Sequence, residues 1–278
     1  MGRWGKAILG NLHEILKFTQ TRVRHSFNEL QNSQKNGDPF GYGRIFQYFP
    51  FWQTRFEIEG SAYGGETDYS RERISPLNLP EIQNFFNVKD LSILELGPLE
   101  GGNTLKLCQM GARKVTAIEG RPENFIKCCV IKNLYGLEEA KFYLDDVRKI
   151  SQEKYGTFDM ALVAGILYHL DDPHLLLNRL SQMTDVLLLA THYADEASPF
   201  PTAQVIELST EFGTYRGKVY SEGAQVNINS GLQPTSFWPF ENDLLQMCKD
   251  IGFKDITVLK KNPIPSEPFK VIFFIAKK

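Results

Sequence analysis

The stretch Leu91-Ser92-Ile93-Leu94-Glu95-Leu96-Gly97-Pro98-Leu99-Glu100-Gly101-Gly102 decides the fold. An apolar run of strand length stops at a glycine turn, and a helical pattern follows from Gly102 to Met110. The unit then repeats. Lys114 to Glu119 reads as a second strand, followed by a helix from Pro122 to Leu134 with proline in its first turn. Lys141 to Leu144, Phe158 to Ala164 and Asp185 to Ala190 read as strands three to five, and Pro173 to Met183 as a helix. Strands alternating with helices imply a parallel sheet covered on both faces, a doubly wound α/β architecture.

Outside this core the pattern changes. Residues 6 to 30 carry apolar side chains at helical spacing, and Asn32 to Pro80 is rich in Gly, Tyr and Phe without a period, so 1–88 is expected to be an N-terminal helical or lid segment. The remainder, 89–278, forms the second domain. Its alternation lapses over 191–236, read as an insertion after strand five, and resumes with a helix from Glu241 to Ile251. Asp255 to Leu259 and Lys270 to Ala276 are joined by too short a connection for a parallel crossover, so the last strand is expected to run antiparallel.

The chain has 278 residues with 42% hydrophobic side chains and a formal charge of -2, which excludes a disordered or collagen-like polymer. The charge balance offers no footprint for a phosphate backbone, and nucleic acid is disfavoured as a partner. Four cysteines without a C-x-x-C spacing suggest neither a zinc cage nor a disulfide framework. Lys6 spoils an acylation signal and Ala7 to Leu12 is too short for a signal-peptide core, so a cytoplasmic location without membrane attachment is expected. Oligomeric state is not legible.

In a doubly wound sheet the ligand lies at the carboxyl ends of the strands. Glu119 closes strand two about 20 residues beyond Gly97, where an acidic side chain accepts from ribose hydroxyls. Asp146 follows strand three, placed to accept from an adenine amino group while the Val147 amide meets a ring nitrogen. These features point to an adenosine-bearing ligand. The loop lacks both G-x-G-x-x-G and a phosphate-cradling G-x-x-x-x-G-K-[ST], and Glu100 would repel a pyrophosphate. Glu95 and Glu100 instead suit a cation.

These residues resemble the class I S-adenosylmethionine-dependent methyltransferases. The likeness rests on Leu94-Glu95-Leu96-Gly97 with Gly101-Gly102, on Ala117-Ile118-Glu119, on Asp145-Asp146-Val147, and on Phe158 to Val163 leading into Gly165-Ile166-Leu167-Tyr168-His169-Leu170. It covers residues 88 to 190. The resemblance implies a Rossmann-like seven-stranded sheet of order 3-2-1-4-5-7-6 with strand 7 antiparallel. It also implies S-adenosyl-L-methionine as cofactor and Glu95, Gly97, Gly101, Gly102, Glu119, Asp146 and Val147 as the residues around it; Tyr63, among the aromatic residues that flank the core in sequence, is a further candidate for the cofactor. A departure is Gly97-Pro98-Leu99-Glu100-Gly101 where the family carries G-x-G-x-G.

Methyl transfer from a sulfonium asks the protein for alignment, and for a base where the acceptor is a hydroxyl or an acidic carbon. His169 and His192, expected just past strands four and five, are the candidates for that base. His13, His25 and His174 are expected on the surface. Arg71, Arg73 and Arg216 are candidates for meeting a carboxylate. Aromatic residues from Tyr42 to Trp52, Tyr215, Tyr220 and Phe237-Trp238 suit a flat or apolar acceptor, or seal the appendages to the sheet. No ligand spacing supports a metal site. The expected activity is methyl transfer to an oxygen, nitrogen or carbon of a small organic molecule. Its alternatives are a tRNA-modifying methyltransferase and a non-catalytic S-adenosylmethionine-binding protein.

Overall fold

The computed structural model describes residues 41–49, 51–67, 75–80, 82, 87–197, 204–222, 230–262 and 269–278. The expected helix over 6–30, with His13 and His25, lies outside them, as do Arg71 and Arg73. The chain divides after Thr67 into two compact units.

In the first unit, helix α1 (Tyr42–Tyr48) precedes a hairpin of β1 (Arg55–Ile58) and β2 (Ser61–Gly64). Phe46, Trp52, Phe56 and Tyr63 pack ring against ring, with Phe46 and Tyr63 stacked at 5.4 Å. The aromatic stretch thus forms a small core of its own.

The second unit is built on β3 (Ser92–Leu96), β4 (Lys114–Glu119), β5 (Ala140–Leu144), β6 (Met160–Ala164), β7 (Val186–Tyr193), β11 (Asp255–Lys261) and β12 (Lys270–Lys277). Their order across the sheet is β11-β12-β7-β6-β3-β4-β5. β3 to β7 pair in parallel, while β12 runs antiparallel to both β7 and β11. This is the expected sheet, with the chain-final strand reversed as the short connection required. β3, β6 and β7 are buried on both faces, which is why each reads as a continuous apolar run. Helices α2 (Gly102–Gln109), α3 (Pro122–Tyr135), α4 (Gln152–Tyr155), α5 (Pro173–Ser181) and α6 (Glu241–Ile251) complete the wound layers.

The insertion is more ordered than its sequence suggested. β8 (Val205–Ser209), β9 (Thr214–Ser221) and β10 (Thr235–Pro239) form a separate antiparallel sheet of order β10-β9-β8. It is fastened at the carboxyl end of the main sheet: the Phe237 amide donates to the Leu170 carbonyl at 2.8 Å, and the Ala194 amide to the Pro239 carbonyl at 3.0 Å. The Trp238 indole donates to the Tyr168 carbonyl at 2.8 Å. β8 and β9 mix polar and apolar side chains with turn residues between, so no clean alternation marked them.

Two placements differ from expectation. β7 continues through Tyr193, so His192 is the penultimate residue of the strand and not part of the loop after it. His174 is buried, at 6% exposure, because α5 turns that residue toward Phe212, whose ring lies 6.4 Å away.

Phe274 sits at the centre of β12 with no exposed surface. Phe274→Ala is expected to lower the unfolding free energy by about 3–5 kcal/mol, whereas Val258→Ala, at a position 37% exposed on β11, is expected to cost well under half of that. Urea denaturation of both variants measures the contrast.

Candidate active site

The carboxyl ends of β3, β4 and β6 are level, with Leu96 paired to Ile118 on one side and Val163 on the other. Gly97 follows with φ +66, and a Cβ on it would lie 2.0 Å from Ile166 Cδ1. Only glycine accepts both the left-handed backbone and that approach. The turn closes with the Gly101 amide donating to the Pro98 carbonyl at 2.8 Å, and α2 begins.

Glu119 organises this end of the sheet. Its Oε2 accepts from the Leu99 amide at 3.1 Å and its Oε1 from the Arg121 amide at 2.9 Å. Glu95 lies one strand over, 1% exposed, with Oε2 accepting from the Thr104 hydroxyl at 2.5 Å. Its Oε1 is buried and meets no hydrogen-bond donor among the described residues. Burial pushes the pKa of both carboxyls up, to about 7. Bonds from Thr104 to Glu95, and from the Arg121 and Leu99 amides to Glu119, work against that rise without cancelling it.

Glu100 is paired within the protein. It is fully buried and bonded at 2.8 Å to the Lys127 ammonium, itself only 2% exposed. The cationic partner that the sequence left open is therefore a lysine of α3, and the negative side chains of the turn reduce to Glu95 and Glu119.

At the end of β5, the Asp145 amide donates to the Glu119 carbonyl at 3.0 Å. Asp146 caps the short turn that follows, accepting from the Arg148 amide at 3.0 Å and from its guanidinium at 2.5–3.0 Å. Burial tends to raise the Asp146 pKa, but the bonds from Arg148 outweigh it and hold the carboxyl below the usual range. Val147 is buried behind it. Glu95, Gly97, Gly101, Gly102, Glu119, Asp146 and Val147 thus share one end of one sheet. Tyr63 belongs to the N-terminal unit, where its ring packs on Phe46 and Tyr42.

The two candidate bases lie in different surroundings. His192 stacks flat on Trp238, centroids 5.1 Å apart and planes 8° from parallel, with Tyr168 and Phe269 against its other sides. Its Nδ1 lies 3.2 Å from the Lys270 carbonyl, which only accepts, so Nδ1 carries the hydrogen. Burial lowers its pKa to about 4, so the ring is neutral near pH 7. His169 Nδ1 instead meets Glu222 Oε2 at 2.9 Å. Arg216 pairs with Glu196 and covers the Phe240 ring at the insertion sheet.

Several participants carried no sequence signal. Glu222 follows directly on β9, and Ser230, Gly231 and Leu232 return from the far side of the insertion. The Arg121 guanidinium donates to the Ser230 carbonyl at 2.8 Å and to the Gly231 carbonyl at 3.0 Å. A Cβ on Gly120 would lie 2.8 Å from Leu232 Cδ1 and 3.7 Å from the Asp145 carbonyl, so Leu232 lies over the ends of β4 and β5. Arg121, two residues past Glu119, reads in sequence as an ordinary loop arginine. Among the described residues no cluster of His, Cys, Asp and Glu is placed to hold a metal, and no helix is long and apolar enough to cross a membrane.

No family model and no curated protein matches the chain. Solved structures do. The N-terminal domain of EvdMO1, crystallised in the presence of SAH and D-fucose, is 25% identical over 86% of this chain and 97% of that one, with a TM-score of 0.70. By fold, the chain is similar to S-adenosylmethionine-dependent methyltransferases. A second structure, of EvdMO1, aligns at 23% identity over 85% of this chain and 46% of its own, with a TM-score of 0.58. An S-adenosylmethionine dependent methyltransferase from Mesorhizobium loti shares the fold at 13% identity, with a TM-score of 0.50 over 72% of this chain and 96% of that one. In the sheet order of this family, β5-β4-β3-β6-β7-β12-β11 is 3-2-1-4-5-7-6.

The raised carboxyl pKa values have a measurable consequence. Glu95 and Glu119 bind protons more tightly folded than unfolded, so their contribution to stability is present below about pH 4.5 and is lost as pH rises through about 7. His192 acts in the opposite sense between about pH 4 and 6.5. Melting temperatures of the ligand-free protein between pH 6.5 and 8 are therefore expected to fall in the wild type and to flatten in Glu95→Gln and Glu119→Gln.

Proposed function

We propose that this chain transfers the methyl group of S-adenosyl-L-methionine to a small organic acceptor. The observation that carries the reading is the Glu95 carboxyl: buried, with one oxygen lacking a donor among the described residues, at the end of the sheet where the glycine turn begins. An uncompensated buried acceptor is costly, and a ligand ammonium supplies the missing donor. In this proposal Glu119 meets the ribose hydroxyls, Asp146 and the Val147 amide meet the adenine, and Gly97, Gly101 and Gly102 leave room for the chain between. Tyr63 is a further proposed cofactor residue.

The donor, when bound, supplies an electrophilic methyl group on a sulfonium, and the protein's part is to align it and to accept a proton. Two histidines near the strand ends are available for that proton, His169 and His192. A small-molecule acceptor is supported by the aromatic surroundings of His192 and Trp238 and by the lack of a basic excess in the chain. The neighbour crystallised with SAH and D-fucose supports both donor and acceptor class. A cytoplasmic location is proposed on the sequence reading alone.

Isothermal titration with S-adenosylhomocysteine is expected to give a one-to-one binding isotherm, with no heat from NAD. Glu119→Ala is expected to weaken the interaction by tenfold or more, since two ribose hydrogen bonds to a charged acceptor are each worth about 1.5–3 kcal/mol. Heat with NAD and none with the thioether overturns the proposal.

A further inference from the structure

Glu222 is a buried carboxylate whose every described contact is a donor. Its side chain is 2% exposed. Oε2 accepts from His169 Nδ1 at 2.9 Å and from the Gly231 amide at 2.8 Å, and Oε1 accepts from the Ser236 hydroxyl at 2.7 Å. Burial pushes a carboxyl toward its neutral form, but the bonds from His169, Gly231 and Ser236 prevail and keep Glu222 below the usual carboxyl range. It is therefore ionised and can only accept. The shared hydrogen must sit on His169 Nδ1, so that in the neutral ring the lone pair is on Nε2.

The surroundings hold that geometry. Arg121 grips the carbonyls of Ser230 and Gly231, and a Cβ on Gly231 would lie 2.7 Å from the His169 carbonyl and 3.3 Å from Glu222 Cδ. The turn is thus pressed against both partners. Around the His169 ring stand Tyr168, whose hydroxyl pKa is raised by burial, and, beyond it, His192 on β7 and Tyr220 on β9. Of the described groups bonded to the ring, Glu222 alone is charged.

We propose that Glu222 is the positioning residue for His169, and that the pair serves the methylation of a hydroxyl oxygen. This rests on the methyltransferase reading above. The acceptor oxygen forms a bond to the methyl carbon as the carbon–sulfur bond breaks; the sulfonium becomes a neutral thioether, and the hydroxyl proton passes to His169 Nε2. The resulting imidazolium is stabilised by the Glu222 carboxylate across Nδ1. A thioether acceptor has no proton to lose, and a neutral amine sheds its proton to water after transfer, so neither calls for a carboxylate-backed imidazole. A hydroxyl does, because its oxygen is a poor nucleophile until the proton leaves.

The test has two readouts. Ring-nitrogen NMR of the protein saturated with S-adenosylhomocysteine, with the His169 signal identified by its loss in His169→Asn, is expected to show the Nδ1–H tautomer. In Glu222→Gln the titration midpoint of His169 moves to lower pH. With labelled donor and a panel of alcohols, phenols, amines and thiols, the product is expected to be an ether. Glu222→Gln lowers kcat ten- to hundredfold and shifts the acidic limb of the rate profile, with KM and thioether binding within threefold. Ser236→Ala, a milder change should the first variant misfold, gives a smaller loss of the same kind. An unchanged His169 titration and kcat in Glu222→Gln, or products methylated on nitrogen or sulfur, overturn the inference. A wild type that does not bind the thioether overturns the parent reading instead.

Discussion

Glu119 accepts hydrogen bonds from the amides of Leu99 and Arg121, and so holds the turn after β3 and the turn after β4 in fixed relation. The price of that arrangement is a carboxylate taken out of water, and its raised pKa reports how much of the cost remains. Everything at this end of the sheet is referenced to it. The glycine turn is tied to it through the Leu99 amide, and Arg121, which it binds through the main chain, reaches across to the insertion.

The core was legible because its determinants are local. Buried parallel strands read as Ile93-Leu94-Glu95-Leu96 or Met160-Ala161-Leu162-Val163 with little else to imitate them, and the turn chemistry of Gly97 needs no distant residue. Charge in the turn was misread for the opposite reason. The sign of Glu100 is visible in sequence, but its partner Lys127 lies 27 residues on and one helix away. Glu222 escaped notice likewise, its donors being 9, 14 and 53 residues distant. Nothing in the polar, weakly periodic run to Ser221 marks the next residue as buried. His174 was misplaced because a polar residue at a helix start resembles a solvated one unless the packing of the insertion is known.

His169 and His192 show how far residue type underdetermines chemistry. Both are histidines near neighbouring strand ends, and their rings both touch Tyr168. One is sandwiched by aromatics and bonded to a neutral carbonyl, which discourages a positive charge. The other is bonded to an anion. The difference is made by β9 and β10 of the insertion, which place Glu222 beside one ring and Trp238 beside the other.

The buried pair of Glu100 and Lys127 has a mechanical side. Swinging the glycine turn away from α3 would strand two unpaired charges in an apolar interior, an outcome several kcal/mol uphill by the measure of broken buried pairs, roughly 3–5 kcal/mol. That turn is accordingly a fixed wall, not a door. Exchange of a spent ligand for a fresh one has to find its freedom elsewhere on the rim, where the Ser230–Leu232 side is held by hydrogen bonds to main-chain carbonyls that water can replace.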